Sequence, residues 1–403
     1  MLIDRLSTLS VMQRRILAIV FGLVSLVVVI DFIYLAATAY MMDLEVFQDA
    51  GWALRRDQDL YSPEFPTRSG FRFIYPPFAA LLFYPLTWAG PVTLQIIWTL
   101  ATMAAVWAML WMVFTRLGSE RPKLMATCLL GVVLLLDPLR ANVLFGQINV
   151  FLALLVVSDV LGFLPKKLRG LGVGIAAGIK ITPAAYALVF LMRRDFAAVA
   201  KSFCWFLVTV AIGFAVRFEE SIYFWTDEFF AGNRGGAPAY EANQAFSGLL
   251  ARAGVEGTAL DVGIYGFFLF GAIAAAFVAW IYHRNGYEVA ALGFVALAVS
   301  FAGPYAVSHH WSIVMVFVPL VLFVREMGHI IVGVLFLIAN WWAPYKVFVG
   351  NDFGYAASVG QWFYGNMQGI MGGVLFFTCL GYAIYLWRNP SRVRLNDGAS
   401  FSQ

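Results

Sequence analysis

The chain has 403 residues, of which 62% belong to the apolar AVILMFWYC class and only 12% are charged, with a net charge of +4. A soluble chain carries about twice that share of charge, and a mean hydropathy of +0.80 makes lipid the solvent for most of this one. A soluble enzyme is excluded, nothing argues for nucleic acid as a partner, and a polytopic membrane protein is expected.

At the N-terminus, Arg14 and Arg15 precede an apolar run from Ile16 to Ala37 and the small residues Ala36-Ala37-Thr38-Ala39, which together imitate a signal peptide. The run exceeds the roughly 7–15 residues of a cleaved apolar region and suffices to cross a bilayer, so an uncleaved first helix is expected. Hydropathy then predicts crossings at about 16–38, 92–115, 123–137, 148–164, 197–216, 263–282, 288–306, 311–324, 329–346 and 367–387. The stretch 171–192, "LGVGIAAGIKITPAAYALVFLM", is interrupted at Lys180 and Pro183. Each half is too short for about 30 Å of hydrocarbon, so the expectation is a broken hairpin that turns inside the protein. Irregular backbone at depth is tolerated only beside protein or a water-filled cavity, and Lys180 is expected to point into such a cavity. The expected fold is one all-α transmembrane bundle over 1–403, with about 11 membrane segments.

Most of the basic residues fall in alternate connections: Arg5, Arg14 and Arg15; Arg116, Arg121 and Lys123; Lys166, Lys167 and Arg169; Arg193, Arg194 and Lys201; Arg284; Arg325; and Arg388, Arg392 and Arg394. The positive-inside rule puts these in the cytoplasm with both termini. The long connections 39–91, 217–262 and 347–366 then lie outside. In the first, Leu44, Phe47, Ala50 and Leu54 recur at helical spacing with charge opposite, which suits an interfacial helix. The aromatic stretch broken by Pro76, Pro77 and Pro85 suits an interfacial or re-entrant segment. Cys128, Cys204 and Cys379 lie in apolar runs without metal-like spacing and read as small core residues.

On this topology polar groups from six segments meet at one outer level: Asp43; Arg140, Gln147 and Asn149; Lys180; Asn243 and Gln244; and the pair His309 and His310. Each alone has a plain structural reading. Asp43 can cap the helix that follows it, Arg140 can sit at a helix C-terminus, Lys180 can snorkel, and the histidines can bond headgroups. Asp31 and Asp159, inside spans, read as locally satisfied. Convergence favours function, because ionisable groups near a bilayer are costly and usually serve a site. An acid beside cations and imidazoles suits transfer from a phosphate-activated lipid. The carboxylate takes a proton from an acceptor hydroxyl, and Lys, Arg or His neutralises the departing phosphate. The outer loops hold no His/Cys-rich or Asp-x-Asp pattern, so neither a metal nor a cofactor is demanded.

"DLEVF", "FIYPPFAALLFYPL", "DPLRANVLFGQINV", "GLGVGIAAGIKITPA", "NQAFSG" and "SHHW" resemble, in order and rough spacing, motifs of glycosyltransferase family 87. These are actinobacterial polyprenol-phosphate-mannose-dependent α-1,2-mannosyltransferases of the GT-C superfamily. The resemblance covers about residues 43–312; "GPYAVSHHW" stands where the family has an "SPxSW" lead-in. It implies a multi-pass plasma-membrane enzyme working on the outer side. That enzyme inverts the anomeric carbon of a lipid-linked donor, polyprenyl-phosphate mannose, onto a glycolipid acceptor among the membrane lipids. That acceptor is a phosphatidylinositol mannoside or lipomannan/lipoarabinomannan. Asp43 would be the general base, His309 and His310 would lie at donor phosphate and acceptor, and Lys180 and Gln147 would contact phosphate or sugar. Arg140, Asn149, Tyr75, Asn243 and Gln244 complete the expected substrate contacts. A flippase or transporter of lipid-linked sugars would share broken helices and an intramembrane lysine. It would place its charges at the midplane between two similar halves, and neither feature is visible.

Overall fold

The computed structural model describes residues 9–62, 65, 67–231, 236–350 and 358–389. Arg5, Arg392 and Arg394 of the charge argument lie outside these residues. The described residues form helices, with one isolated β-bridge between Asn243 and Val307. Helix α1 (Val11–Thr38) begins at Ser10, which forms a capping box with Gln13. It is followed by α2 (Met42–Arg55), α3 (Pro77–Phe83), α4 (Pro91–Arg116), α5 (Pro122–Leu134) and α6 (Asp137–Phe145). Next come α7 (Asn149–Val160), α8 (Leu171–Ile179), a 3₁₀ turn (Thr182–Tyr186), α9 (Ala187–Met192), α10 (Phe196–Val216) and α11 (Phe218–Thr226). The remainder comprises α12 (Phe246–Arg252), α13 (Gly257–Arg284), α14 (Glu288–Phe301), a 3₁₀ segment (Ser308–Val316), α15 (Phe317–Phe323), α16 (Met327–Trp342), a 3₁₀ turn (Pro344–Val347), α17 (Val359–Gly365) and α18 (Met367–Arg388).

Among the described residues, six segments are long and apolar enough to cross a membrane: α1, α4, α10, α13, Met327–Val347 and α18. A seventh is added if α5 and α6, bent by 78° at their junction, form one broken span. At the other expected crossings stand shorter helices. The 14 residues of α14 reach about 21 Å at 1.5 Å per residue, less than the hydrocarbon core. Helix α14 is buried along nearly its whole length, from Val289 to Phe301, so protein covers it in place of lipid. Hydropathy registers how apolar a helix is and is blind to which apolar neighbour it meets. That is why full-length crossings were expected at 148–164, 288–306 and 311–324, where α7, α14 and a 3₁₀ segment followed by α15 are found.

The broken hairpin is present. Helix α8 stops at Ile179, Lys180 is extended (φ −149°, ψ 126°), and Thr182-Pro183 starts the 3₁₀ turn into α9. Small residues let α8 lie close to α10: a Cβ on Gly174 would stand 2.4 Å from the Ser202 carbonyl oxygen, the close approach that membrane helices use in place of a hydrophobic drive. Asp159 accepts N–H groups from Gly170 (2.8 Å) and Val173 (3.0 Å), a local satisfaction that starts the hairpin. Asp31 is exposed on α1. Cys128 and Cys379 are buried, but Cys204 is exposed, contrary to its expected core place. It lies on the outward face of α10, where an apolar residue needs no protein cover.

Helix α2 buries Leu44, Phe47 and Ala50 as its pattern requires, and it buries Gln48 and Asp49 as well. Gln48 Nε2 donates to the Leu86 and Ala89 carbonyls (both 3.0 Å), and Arg68 folds over Asp49 with Nε 2.9 Å from Oδ1. Protein therefore covers both faces of this helix. The three long loops meet. Arg72 pairs with Glu228 (2.8 Å), Arg217 with Asp57 (2.8 Å), and Glu220 accepts from Leu60 N (2.8 Å). The loop before α12 and the end of α12 reach the junction of α17 and α18 through Gln244 Nε2 to Gly365 O (3.0 Å) and Arg252 Nε to Asn366 Oδ1 (2.9 Å). One end of the bundle carries all three, as the charge rule requires.

This arrangement has a direct test. With the three native cysteines replaced by alanine, Gln58→Cys in the first long loop should react with a membrane-impermeant thiol reagent added to intact cells. Lys166→Cys, exposed in the basic connection after α7, should react only after permeabilisation; the reverse pattern would invert the topology.

Candidate active site

The site is assembled where four interruptions of regular helix come together. Asp43 lies in the first turn of α2, whose N-cap is Met41 with no side-chain capping bond. The capping reading of Asp43 is therefore not what the chain uses. Its Oδ2 is buried without a hydrogen-bond partner. Burial pushes the Asp43 carboxyl up to about 6, against the Gln147 hydrogen bond and the Lys180 charge, which both pull it down. A carboxylate poised near neutral pH is the preparation that a general base requires.

Gln147 reaches Asp43 because of Gly146. Helix α6 ends there in the left-handed region (φ 69°), and a Cβ at Gly146 would stand 2.5 Å from Leu44 Cβ. Only glycine meets both demands. The chain then turns into α7, where Asn149 Nδ2 lies 3.4 Å from Gln147 Oε1 and Asn149 Oδ1 accepts from Lys180 Nζ at 3.0 Å. Lys180 Nζ is also 5.8 Å from the Tyr75 ring centre. Tyr75 is buried beside Phe47, ring centres 5.5 Å apart, and its carbonyl accepts from Tyr61 OH at 2.6 Å. The ammonium group therefore stands between an amide, an aromatic face and the Asp43 carboxylate.

The fourth interruption carries the histidines. After α14 the chain runs through Pro304 and Tyr305 into the 3₁₀ segment Ser308–Val316, far longer than the three or four residues usual for that geometry. The His309 carbonyl accepts from Asn142 Nδ2 (2.9 Å) and Asn149 Nδ2 (3.3 Å), which ties the pair to the Lys180 wall. The rings of His309 and His310 meet edge to face with centres 4.6 Å apart, and Phe145 packs on His309. Both histidines are half-buried. A cleft opens beside them, with Lys180, Asn149, His310 and Thr182 at one part and Leu152 and Val299 among its apolar walls. Lys180 is thus at a cavity, as expected of a charged residue at a helix break.

The structure brings Asp43, Gln147, Asn149, Lys180, Tyr75, His309 and His310 together. It takes three other expected contacts elsewhere. Arg140 turns to Asp137, Nη2 to Oδ1 at 3.3 Å. Asn243 and Gln244 are wholly buried, their side-chain atoms spent on protein. Asn243 Nδ2 donates to Pro238 O (2.9 Å), its Oδ1 accepts from Ala306 N (3.1 Å), and Gln244 Oε1 accepts from Gly369 N (3.0 Å). They shape the loop that leads into the histidines and do not line the cleft. Three residues near the site escaped the sequence reading. Ser300 is buried with its hydroxyl unpartnered and, like Tyr305, lines the cleft. Asp137 is buried completely, and its signal was legible as an acid opening the polar stretch after an apolar run.

Residues 73–308 match the model of glycosyltransferase family 87. The chain is 30% identical over 305 residues to a Mycolicibacterium smegmatis protein named polyprenol-phosphate-mannose-dependent alpha-(1-2)-phosphatidylinositol mannoside mannosyltransferase, covering 69% of this chain and 68% of that one. A Mycobacterium tuberculosis (H37Rv) protein of the same name is 30% identical over 295 residues, 68% of each chain. A relative from M. tuberculosis strain CDC 1551, named for phosphatidylinositol pentamannoside, is 31% identical over 293 residues, 69% of this chain and 65% of its own. No solved structure matches. The matched region runs from the aromatic loop beside Asp43 to the serine before the histidine pair and takes in the Gln147, Asn149 and Lys180 walls, and on that extent the chain belongs to glycosyltransferase family 87.

Proposed function

We propose that this protein transfers mannose from polyprenyl-phosphate mannose to a mannosylated glycolipid, forming an α-1,2 linkage with inversion, in the outer leaflet of the plasma membrane. The observation that carries the reading is the Asp43 carboxylate, one oxygen buried without a partner, held beside Gln147 and the Lys180 that lines the open cleft. The relatives' names supply donor and acceptor classes, a phosphatidylinositol mannoside being the acceptor they favour. A GT-C arrangement, with the short helices packed among the long ones, goes with it.

In the proposed step Asp43 removes the proton of an acceptor hydroxyl, which must approach to about 3 Å. The acceptor oxygen attacks the anomeric carbon from the face opposite the phosphate. As the new C–O bond forms, the bond to the donor phosphate breaks and its electron pair stays on phosphate. Lys180, at the helix break, and the imidazoles of His309 and His310 meet that charge, so the step calls for no metal. A preorganised cation in a partly dry cleft costs no reorganisation at the moment of reaction. The proton on Asp43 leaves to water once product departs.

Two variants and one titration test this. Asp43→Asn keeps shape but accepts no proton at neutral pH, and should lose at least about a hundredfold in kcat in the protein purified in detergent; near-normal transfer would remove Asp43 from the chemistry. Because the base works only when ionised, the wild-type rate should be full above about pH 6 and fall as pH drops through that value. An acid limb at an ordinary carboxylate pKa would contradict the buried, unpartnered environment. Lys180→Met should raise the apparent donor KM by about tenfold or more, the usual worth of a charge-assisted hydrogen bond, and an unchanged donor KM would take phosphate away from Lys180.

A further inference from the structure

The histidine pair sits on irregular backbone, and something must hold it. Immediately before it, the Ser308 hydroxyl donates to Asp137, a carboxylate with no solvent exposure at the start of α6. The Tyr345 hydroxyl donates to the same Oδ2 at 2.8 Å. The other oxygen, Oδ1, pairs with Lys346 and lies 3.3 Å from Arg140 Nη2. Four donors from three separate segments therefore converge on one buried carboxylate. Two of them belong to the 3₁₀ turn Pro344–Val347, beyond the region matched by the family. That turn is entered through Ala343 in the left-handed region (φ 49°), an uncommon conformation for a residue with a Cβ that persists where surrounding contacts over-determine it. Burying a carboxylate is tolerated only when its lone pairs are answered. Here the answer pins the serine that opens the histidine segment, α6, and the end of α16 to one another.

We infer that Asp137 is the positioning residue of the histidine pair, fixing His309 and His310 through Ser308 and coupling them to Tyr345 and Lys346 of the turn that follows α16. It does not line the cleft, and its hold on the pair runs through these partners. Asn142 and Asn149 complete the hold, both on the His309 carbonyl. The turn after α16 thereby takes part in holding the site although it does not line the cleft. The catalytic consequence rests on the mannosyltransferase reading; the positioning itself does not.

The test separates the two. Of the four histidines, His283 and His329 lie elsewhere, His283 bonded to Glu288 and His329 packed on Tyr382, and serve as internal controls. Modification by diethyl pyrocarbonate, followed residue by residue by mass spectrometry, should run about threefold or more faster at His309 and His310 in Asp137→Asn, with His283 and His329 unchanged. In the transfer assay Asp137→Asn should lose about tenfold or more in kcat, with donor KM within about threefold. Adding Ser308→Ala should cost nothing further, because both changes cut one link. Unchanged modification at His309 and His310, an equal rise at all four histidines, or multiplying losses would overturn the assignment. Should Asp137→Asn fail to fold, Ser308→Ala and Tyr345→Phe, each lacking one hydroxyl, replace it: faster modification confined to the pair supports the claim, and none defeats it. If the wild-type protein transfers no mannose, the functional reading falls while the modification rates still decide the positioning.

Discussion

A helix that stops inside apolar surroundings leaves backbone groups and side-chain charge that other protein must cover, and the break between Ile179 and Lys180 imposes that requirement on its surroundings. Asn149 answers the ammonium group directly, Tyr75 lends it an aromatic face, and Asp43 supplies the opposite charge. Each partner comes from a segment that is itself interrupted nearby: α2 just after the first span, α7 just after Gly146, and Tyr75 just before Pro76-Pro77. The short helices follow from this. A segment that turns back within the bundle cannot face lipid along its length, so α7, α8 and α14 are wrapped by the longer helices and by one another.

The same constraint sets the electrostatics. Asp43 is under two opposed influences: burial favours its protonated form, while Lys180 and Gln147 favour the carboxylate, and burial prevails. A group held in that balance changes state near neutral pH and is available to exchange a proton. Asp137 and Asp159 show the alternative. Asp159 spends its oxygens on backbone N–H groups, and Asp137 on four side-chain donors. Asp43, Asp137 and Asp159 therefore divide by partner: Asp137 and Asp159, answered on both oxygens, hold structure together, and Asp43 keeps one oxygen unanswered.

The outer loops are likewise more than connections. Arg72–Glu228, Arg217–Asp57 and the Arg252–Asn366 contact join segments far apart in the chain, and the Asn243 side chain holds Ala306 just before the histidines. The cleft is therefore shaped partly by loops and partly by the C-terminal turn at Tyr345 and Lys346.

Composition alone decided that this chain lives in a membrane, because no arrangement of a chain this apolar and this poor in charge could be covered by water-facing groups. Charge distribution placed the long loops together at one end, and the pairing of Lys180 with Pro183 marked the hairpin break, since both signals are local. Asp43, Gln147, Asn149, Lys180 and the two histidines were legible for the same reason: each is a polar residue in an apolar neighbourhood, where its presence needs a cause. Only the tertiary structure decided how those residues were used. Arg140, Asn243 and Gln244 have the same composition signal as the residues of the cleft, yet their side chains turn to Asp137, Ala306 and Gly369, and nothing local records that direction. The short helices could not be told from spans, because lipid and protein are equally apolar neighbours. Tyr345 and Lys346 entered the histidine support from about two hundred residues away from Asp137, a contact made by packing, which sequence spacing does not encode.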